Sequence, residues 1–350
     1  MDSITIEYRY YDKNEVPITS KMITQPNFWG RYKLKYIKEY PQTKSFFGKS
    51  FSSKKMAIRL SSDKQALTKI SNAKYVAAGF QAFGNNNNER DYLRVLTSND
   101  GINFRRLGIA YPPQSVRDPD IVHIGNKWFI AYTDGLIWTS NFKNWHRGIW
   151  NIDFKTYSSV WAPNFFKDAT GWHVAVAMLN RIKQEEGFTI HVFNFDPTTK
   201  SIGSETGILK LPEKNAIDPK VLFLNGNYSV WYKGETDKKL YLATSPNLNS
   251  NFNSVPTTIN DFQINKKLIT ASNKENNQVG WYFEAPELVK LSADRARLYF
   301  DTYDYSSAAN SHYHGMYFSN FEYQTKKWTL PAKVKSDFKI RHFSVVKQNN

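Results

Sequence analysis

Four segments of one shape recur in order along this 350-residue chain: Val116-Arg117-Asp118-Pro119-Asp120-Ile121, Val160-Trp161-Ala162-Pro163-Asn164, Ala216-Ile217-Asp218-Pro219-Lys220-Val221 and Phe283-Glu284-Ala285-Pro286-Glu287-Leu288. Three of them put a carboxylate one or two residues before a proline. Each leads into an apolar run, a Gly- or polar-centred turn and an aromatic-rich strand, as in Val221-Leu222-Phe223-Leu224-Asn225-Gly226-Asn227-Tyr228-Ser229-Val230-Trp231-Tyr232. A repeat of about 45 to 65 residues that cannot bury its own face implies a solenoid or a propeller. Apolar and polar residues alternate around turns such as Asp134-Gly135 and Asn225-Gly226, which makes the unit a set of short antiparallel strands. Helical periodicity is nearly absent.

The fold class expected is all-β: a five-bladed β-propeller with a small N-terminal β extension. Residues 1–62 read as the extension, with alternating segments over Ile4–Tyr11 and Tyr32–Tyr36, and residues 63–350 as the propeller. The first unit supplies strands near Tyr75–Phe83 and Asp91–Thr97, and the four proline-marked units follow. An open ring would leave unpaired strand edges, so the C-terminal run Ile340–Val346 is expected to pair with the first unit. The run Asn85–Asn88 reads as a solvated loop.

The formal net charge of +16 favours anionic partners, and residues 1–60 hold 12 Lys+Arg against 5 Asp+Glu. The extension is thus the candidate surface for an anionic polymer. Nucleic acid is disfavoured, because the basic residues are scattered among Asn, Ser and Tyr without a recognised motif. With no cysteine, disulfides, thiolate metal sites and a cysteine nucleophile are excluded. The first residues alternate instead of forming a signal peptide's apolar core, and no run approaches the roughly 18 apolar residues of a membrane-spanning helix. A soluble chain is expected, either cytoplasmic or secreted with a signal removed.

In a propeller the innermost strand of each blade begins near the central axis, so equivalent entry positions converge. Asp118, Asp218 and Glu284 occupy such positions, and acids gathered there push at least one pKa upward. Separated pKa values are what acid–base chemistry uses. An acid before proline can also simply open a turn, but three at matching places in successive repeats go beyond turn chemistry. Asp120, on the same face as Asp118 by strand alternation, is the rival to Asp118; Glu287 follows its proline and reads as structural. Trp161 could form a flat wall for a sugar ring or fill a blade core. Arg117 could contact an inner carboxylate or a ligand.

The ordered set Arg-Asp-Pro-Asp-Ile, Trp-Ala-Pro, Ile-Asp-Pro and Phe-Glu-Ala-Pro resembles the five-bladed β-propeller glycoside hydrolases of family 43, over roughly residues 70 to 346. The resemblance implies inverting hydrolysis of glycosidic bonds in arabinofuranose-, xylose- or galactofuranose-containing glycans. It implies Asp118 as the general base that activates water, Asp218 as the residue that tunes and orients the acid, and Glu284 as the general acid. An inverting pair would stand about 6.5–9.5 Å apart. Trp161, Arg117 and His342 are the implied substrate contacts. His342 resembles a last-blade histidine that faces the channel, in places beside calcium, so a water-mediated structural Ca2+ near the axis is an expectation; no cofactor is required.

Two departures matter. The arginine expected after Thr302 has no counterpart there, where His312 and His314 stand instead. The basic extension is also foreign to the usual domain. The alternative function is a catalytically inactive carbohydrate-binding propeller, such as a surface adhesin. The retaining sucrose- and fructan-acting group, which shares the fold, is disfavoured because its Arg-Asp-Pro motif stands in the middle, whereas here Arg117-Asp118-Pro119 comes first.

Overall fold

Each of the four proline-marked segments leads into the innermost strand of a sheet whose next strands follow by hairpins, and these four sheets form a ring with a fifth. The computed structural model describes residues 5–11, 17–24, 42–46, 49–53, 63–81, 91–109, 111–112, 114–180, 182, 187–261, 263–264, 267–268, 281–307, 310–336 and 340–348. The expected segment Tyr32–Tyr36 and the Asn85–Asn88 loop lie outside the described residues.

Blade 2 is ordered Asp120–Ile124, Lys127–Tyr132, Gly135–Thr139, His146–Arg147 from the axis outward. Blade 3 runs Tyr157–Lys167, Trp172–Asn180, Thr189–Asp196, Ser201–Ile208, with Ile149–Trp150 parallel at its outer edge. Blade 4 is Ala216–Leu224, Asn227–Gly234, Leu240–Ser245, Asn253–Val255, and blade 5 is Trp281–Lys290, Arg295–Ser307, Asn310–Glu322, Lys327–Trp328. Blade 1 closes the ring as expected. Its innermost strand is the C-terminal Arg341–Lys347, paired antiparallel with Tyr75–Gln81 through Ser344–Ala78 and Val346–Val76. Tyr92–Ser98 and Asn103–Arg106 continue it, and Lys335–Ser336 adds a parallel outer strand.

The core lies between blades, which is why one repeat could not stand alone. Phe129, Ala131 and Leu136 of blade 2 pack on Phe165, Val174 and Phe195 of blade 3, while Trp231 and Leu240 of blade 4 meet Phe283, Leu298 and Phe300 of blade 5. Edge-to-face pairs such as Phe129 with Phe195 (5.1 Å, 76°) place aromatic rings in these seams.

One helix departs from the sequence reading. Asp63–Ser71 forms nine residues of α-helix in a chain whose helical periodicity is nearly absent. Ala66 and Ile70, four apart on one face, are buried against Val76, Leu93 and Trp128 at the seam of blades 1 and 2. Two buried residues in a single short segment are too few to show a 3.6-residue period. Ahead of it, Thr5–Tyr11 pairs with Pro17–Thr24 and Gln42–Phe46 with Lys49–Ser53, two antiparallel hairpins in the β extension.

Candidate active site

All five blades bend their innermost strand at one matched residue. Asp118 (φ 49°), Ala162 (50°), Asp218 (54°), Ala285 (51°) and His342 (48°) are left-handed, a conformation that costs a non-glycine residue on the order of 1–3 kcal/mol and clusters at functional sites. Strand pairing skips at the same place: between Trp161 and Asn164, Ile217 and Lys220, Glu284 and Glu287, and Arg341 and Ser344. Such a bulge re-aims the side chains around it.

Two sequence expectations change as a result. Glu284 is not the equivalent of Asp118 and Asp218; it precedes the bent residue and corresponds to Arg117, Trp161, Ile217 and Arg341. The reason is that it lies two residues, not one, before its proline. Asp120, in turn, does not share a face with Asp118, because the left-handed residue interrupts the alternation. Its Oδ2 accepts from Phe165 N (2.6 Å), its Oδ1 accepts from Ser344 Oγ, and it is 4% exposed. Both oxygens are occupied in the interior.

The residue two beyond each bend forms a girdle around the axis. Asp120 caps Phe165 N, Asn164 Oδ1 accepts from Val221 N (2.8 Å), Glu287 Oε1 accepts from Val345 N (3.3 Å), and Ser344 Oγ accepts from Ile121 N (3.1 Å). At the fifth seam Lys220 Nζ meets Glu287 Oε2 at 2.7 Å. Every blade-to-blade junction thus carries a buried polar link. Between girdle and rim lies an axial cavity of about 10 Å³, bordered by Asp218, Asn164, Glu287 and His342. That volume is at the lower limit for one water.

On the open side Asp118 Oδ1 lies 3.5 Å from His342 Nδ1, while Oδ2 accepts from Thr133 Oγ1 (3.1 Å) and faces Arg117 Nε at 3.4 Å. Asp218 Oδ2 accepts from Ala285 N at 3.0 Å, so it fixes the backbone directly beside Glu284. Burial pushes the Asp218 carboxyl up to about 6, against the pull of His342 and Lys233 and with repulsion from Glu284 and Asp118.

Glu284 behaves oppositely. Burial alone would raise its pKa, but Lys233 and Arg341 outweigh burial and hold the carboxyl below the ordinary value. Lys233 Nζ donates to Glu284 Oε1, and Arg341 Nη2 stands 3.8 Å from Oε2. Lys233 is 1% exposed, lies over the Tyr282 ring (5.2 Å) and also meets Glu235 Oε2 at 2.8 Å. The Arg341 guanidinium lies over Phe80, Tyr303 and Tyr313. Asp301, the cross-strand partner of Glu284, accepts from His342 N (3.0 Å) and Tyr313 OH (3.1 Å), and burial pushes it up to about 7.

Trp161 lies at the third entry with 40% of its surface exposed, its ring tilted 31° against Phe188 at 4.5 Å. It is a rim residue and not a blade-core tryptophan. Phe188 N donates to Asn215 Oδ1, tying this wall to blade 4. Arg117 is the most open of the predicted set, its side chain 53% exposed and stacked loosely over Phe80.

Asp118, Asp218, Glu284 and His342 are therefore brought together, with Arg117 beside them and Trp161 on the rim. Sequence reasoning missed Lys233, Arg341 and Asp301. The arginine that reaches the acids comes from the last strand, not from the stretch after Thr302. The signals were faint: a lysine closing the apolar run Val230-Trp231-Tyr232-Lys233, and an acid inside Leu298-Tyr299-Phe300-Asp301. Among the described residues no three His, Asp or Glu side chains converge on one point that would hold a metal ion.

No protein-family profile matches this sequence, and no curated protein does. Among solved structures, an endo-1,4-beta-xylanase from Bacteroides thetaiotaomicron superposes with a TM-score of 0.50 at 13% identity, over 75% of this chain and 92% of that one. A mutant of the GH43 protein BlXynB from Bacillus licheniformis gives 0.48 at 12%, over 77% of this chain and 55% of that longer one. An alpha-L-arabinanase from Cellvibrio cellulosa gives 0.47 at 12%, over 74% and 98%. At such identities the first likeness demonstrates a common five-bladed fold, and the lower scores add no argument. No helix among the described residues is long and apolar enough to cross a membrane.

Proposed function

We propose that this chain is a glycoside hydrolase that inverts configuration while cleaving arabinofuranose-, xylose- or galactofuranose-containing glycans. The observation that carries the reading is the convergence of Asp118, Asp218 and Glu284 from three blades onto one open rim that also presents Trp161. The solved xylanase of the same fold supports it.

In this reading Asp118 takes a proton from water as the water attacks the anomeric carbon, with His342, Thr133 and Arg117 fixing its two oxygens. Glu284 gives a proton to the departing glycosidic oxygen. Asp218 orients Glu284 through Ala285 N. Trp161 and Arg117 hold the sugar. The test is a panel of aryl arabinofuranosides, xylosides and galactofuranosides with the parent protein and E284Q, with product configuration read by NMR. Unchanged turnover in E284Q, or retained configuration, would overturn the assignment.

One observation favours a second reading: Lys233 and Arg341 hold Glu284 as an anion, which is the wrong form for an acid. A binding propeller without turnover accounts for that, and it predicts glycan retention on the rim with no product after long incubation. In either case the basic residues 1–62 are the proposed contact for an anionic polymer. Deleting them should remove binding that high salt also removes.

A further inference from the structure

Glu284 is enclosed by charged and titratable groups from three blades. Lys233 reaches it from blade 4 and Arg341 from blade 1; Asp301, Tyr303 and Tyr313 face it from blade 5 itself; Asp218 approaches from blade 4 and His342 stands one residue beyond Arg341. Of these only Lys233 donates a hydrogen bond to the carboxylate and is itself almost wholly withdrawn from water. A lysine with 1% exposure keeps its charge only where carboxylates surround it. Glu235 supplies the second one, and Lys238 closes on Glu235 in turn.

The result is a ladder of alternating sign, Glu284, Lys233, Glu235, Lys238, leading from the rim along blade 4. Lys233 cannot swing away without leaving Glu235, and its ammonium lies over the Tyr282 ring. Tyr282 stacks in turn on Tyr303, beneath Arg341. Two cations on one connected aromatic wall therefore grip the two oxygens of Glu284.

We infer that Lys233 is a positioning residue that clamps Glu284 as a carboxylate, so that proton delivery from Glu284 requires this ion pair to open. A ligand that draws Glu284 toward its leaving oxygen, or a fall in pH, opens it. If the hydrolase reading above holds, the clamp sets the alkaline limit of the pH–rate profile, where Glu284 has lost the proton it must deliver; the ion pair itself does not depend on that reading.

The experiment follows the carboxyl directly. Glutamate labelled with 13C at the side-chain carboxyl, with the Glu284 signal identified by its loss in E284Q, is titrated in the parent, K233M, K233Q and K233R proteins. In the parent the midpoint should lie below the ordinary glutamate value of about 4.3. In the neutral variants it should rise by about 1–3 units, whereas K233R should keep it low. A parent midpoint at or above the ordinary value overturns the clamp, and so does a folded neutral variant whose midpoint stays put. Because the parent titration alone decides, failure of a variant to fold does not rescue the idea. In an active parent the alkaline limb of kcat should move upward with the same neutral variants. Absence of any turnover in the parent, with the titration as expected, instead sinks the hydrolase reading and leaves the clamp standing.

Discussion

The rim and the girdle are built from the same repeat, two residues apart, yet their acids do different things. Asp120 and Glu287 in the girdle spend their oxygens on backbone N–H groups, a serine and a lysine of the next blades, within the closed interior. Asp118 and Glu284 on the rim face side chains that a ligand could replace, and 12% and 20% of their side-chain surface remains open. The difference is one of partners, not of residue type. A buried carboxylate whose acceptors are filled by backbone and interior donors is a structural link; one opposed by side-chain charges at a solvent boundary is available for chemistry.

Breaking the rim at Asp118 should affect turnover more than stability. D118N and E284Q should each lower kcat by about 10²–10⁴-fold on any substrate the parent cleaves; thermal unfolding should be little changed in D118N, whereas E284Q also removes a partner of the buried Lys233. Breaking the girdle should do the reverse. K220M leaves Glu287 buried without its cation, and loss of about 3–5 kcal/mol in denaturant unfolding is expected, with binding retained where the protein stays folded. S344A removes one donor to Asp120 and the acceptor of Ile121 N, for about 1–3 kcal/mol. If D118N destabilised the fold as much as K220M, the division between the two rings would collapse.

Smaller effects sharpen the comparison. W161A should raise KM for oligosaccharides more than for short aryl glycosides, by about tenfold, since loss of an exposed stacking face removes about 1 kcal/mol or slightly more. The rim's pKa values also predict a pH dependence of stability. Asp218 and Asp301 are raised from ordinary carboxylate values to about 6 and about 7, so the folded chain binds more protons than the unfolded one in that window. Their contribution is complete below the unfolded values and is lost as pH rises through 6 to 7. Glu284, held low, contributes the opposite way, with stability present above its unfolded value and lost as pH falls below it. Thermal midpoints should therefore peak near pH 5 and decline by several degrees toward pH 8. A flat profile over that range would contradict the burial of Asp218 and Asp301.

Much of the site was legible because its backbone marker is local. Asp118-Pro119 and Asp218-Pro219 announce a bend in the chain, and the bend does converge on the axis. The offset of Glu284 by one position was visible only as an extra alanine before Pro286, and its meaning depended on where the left-handed residue falls. Lys233 and Arg341 were not legible. They lie 51 and 57 residues from Glu284, and nothing in Trp231-Tyr232-Lys233 or Arg341-His342-Phe343 records which carboxylate they face. The helix Asp63–Ser71 escaped for a related reason, since its two buried residues gain meaning only against Val76 and Trp128.

By itself the sequence determined the strand period, the five-unit count, the closure by the C-terminal strand and the set of acids that approach the axis. These follow from alternation, turns and proline sterics, which act over a few residues. The tertiary structure alone decided which acids line the rim and which seal the girdle, and that Glu284 rests against Lys233 as an anion. Charge and burial act through space, so a carboxylate's chemical state is set by neighbours that folding brings from other blades.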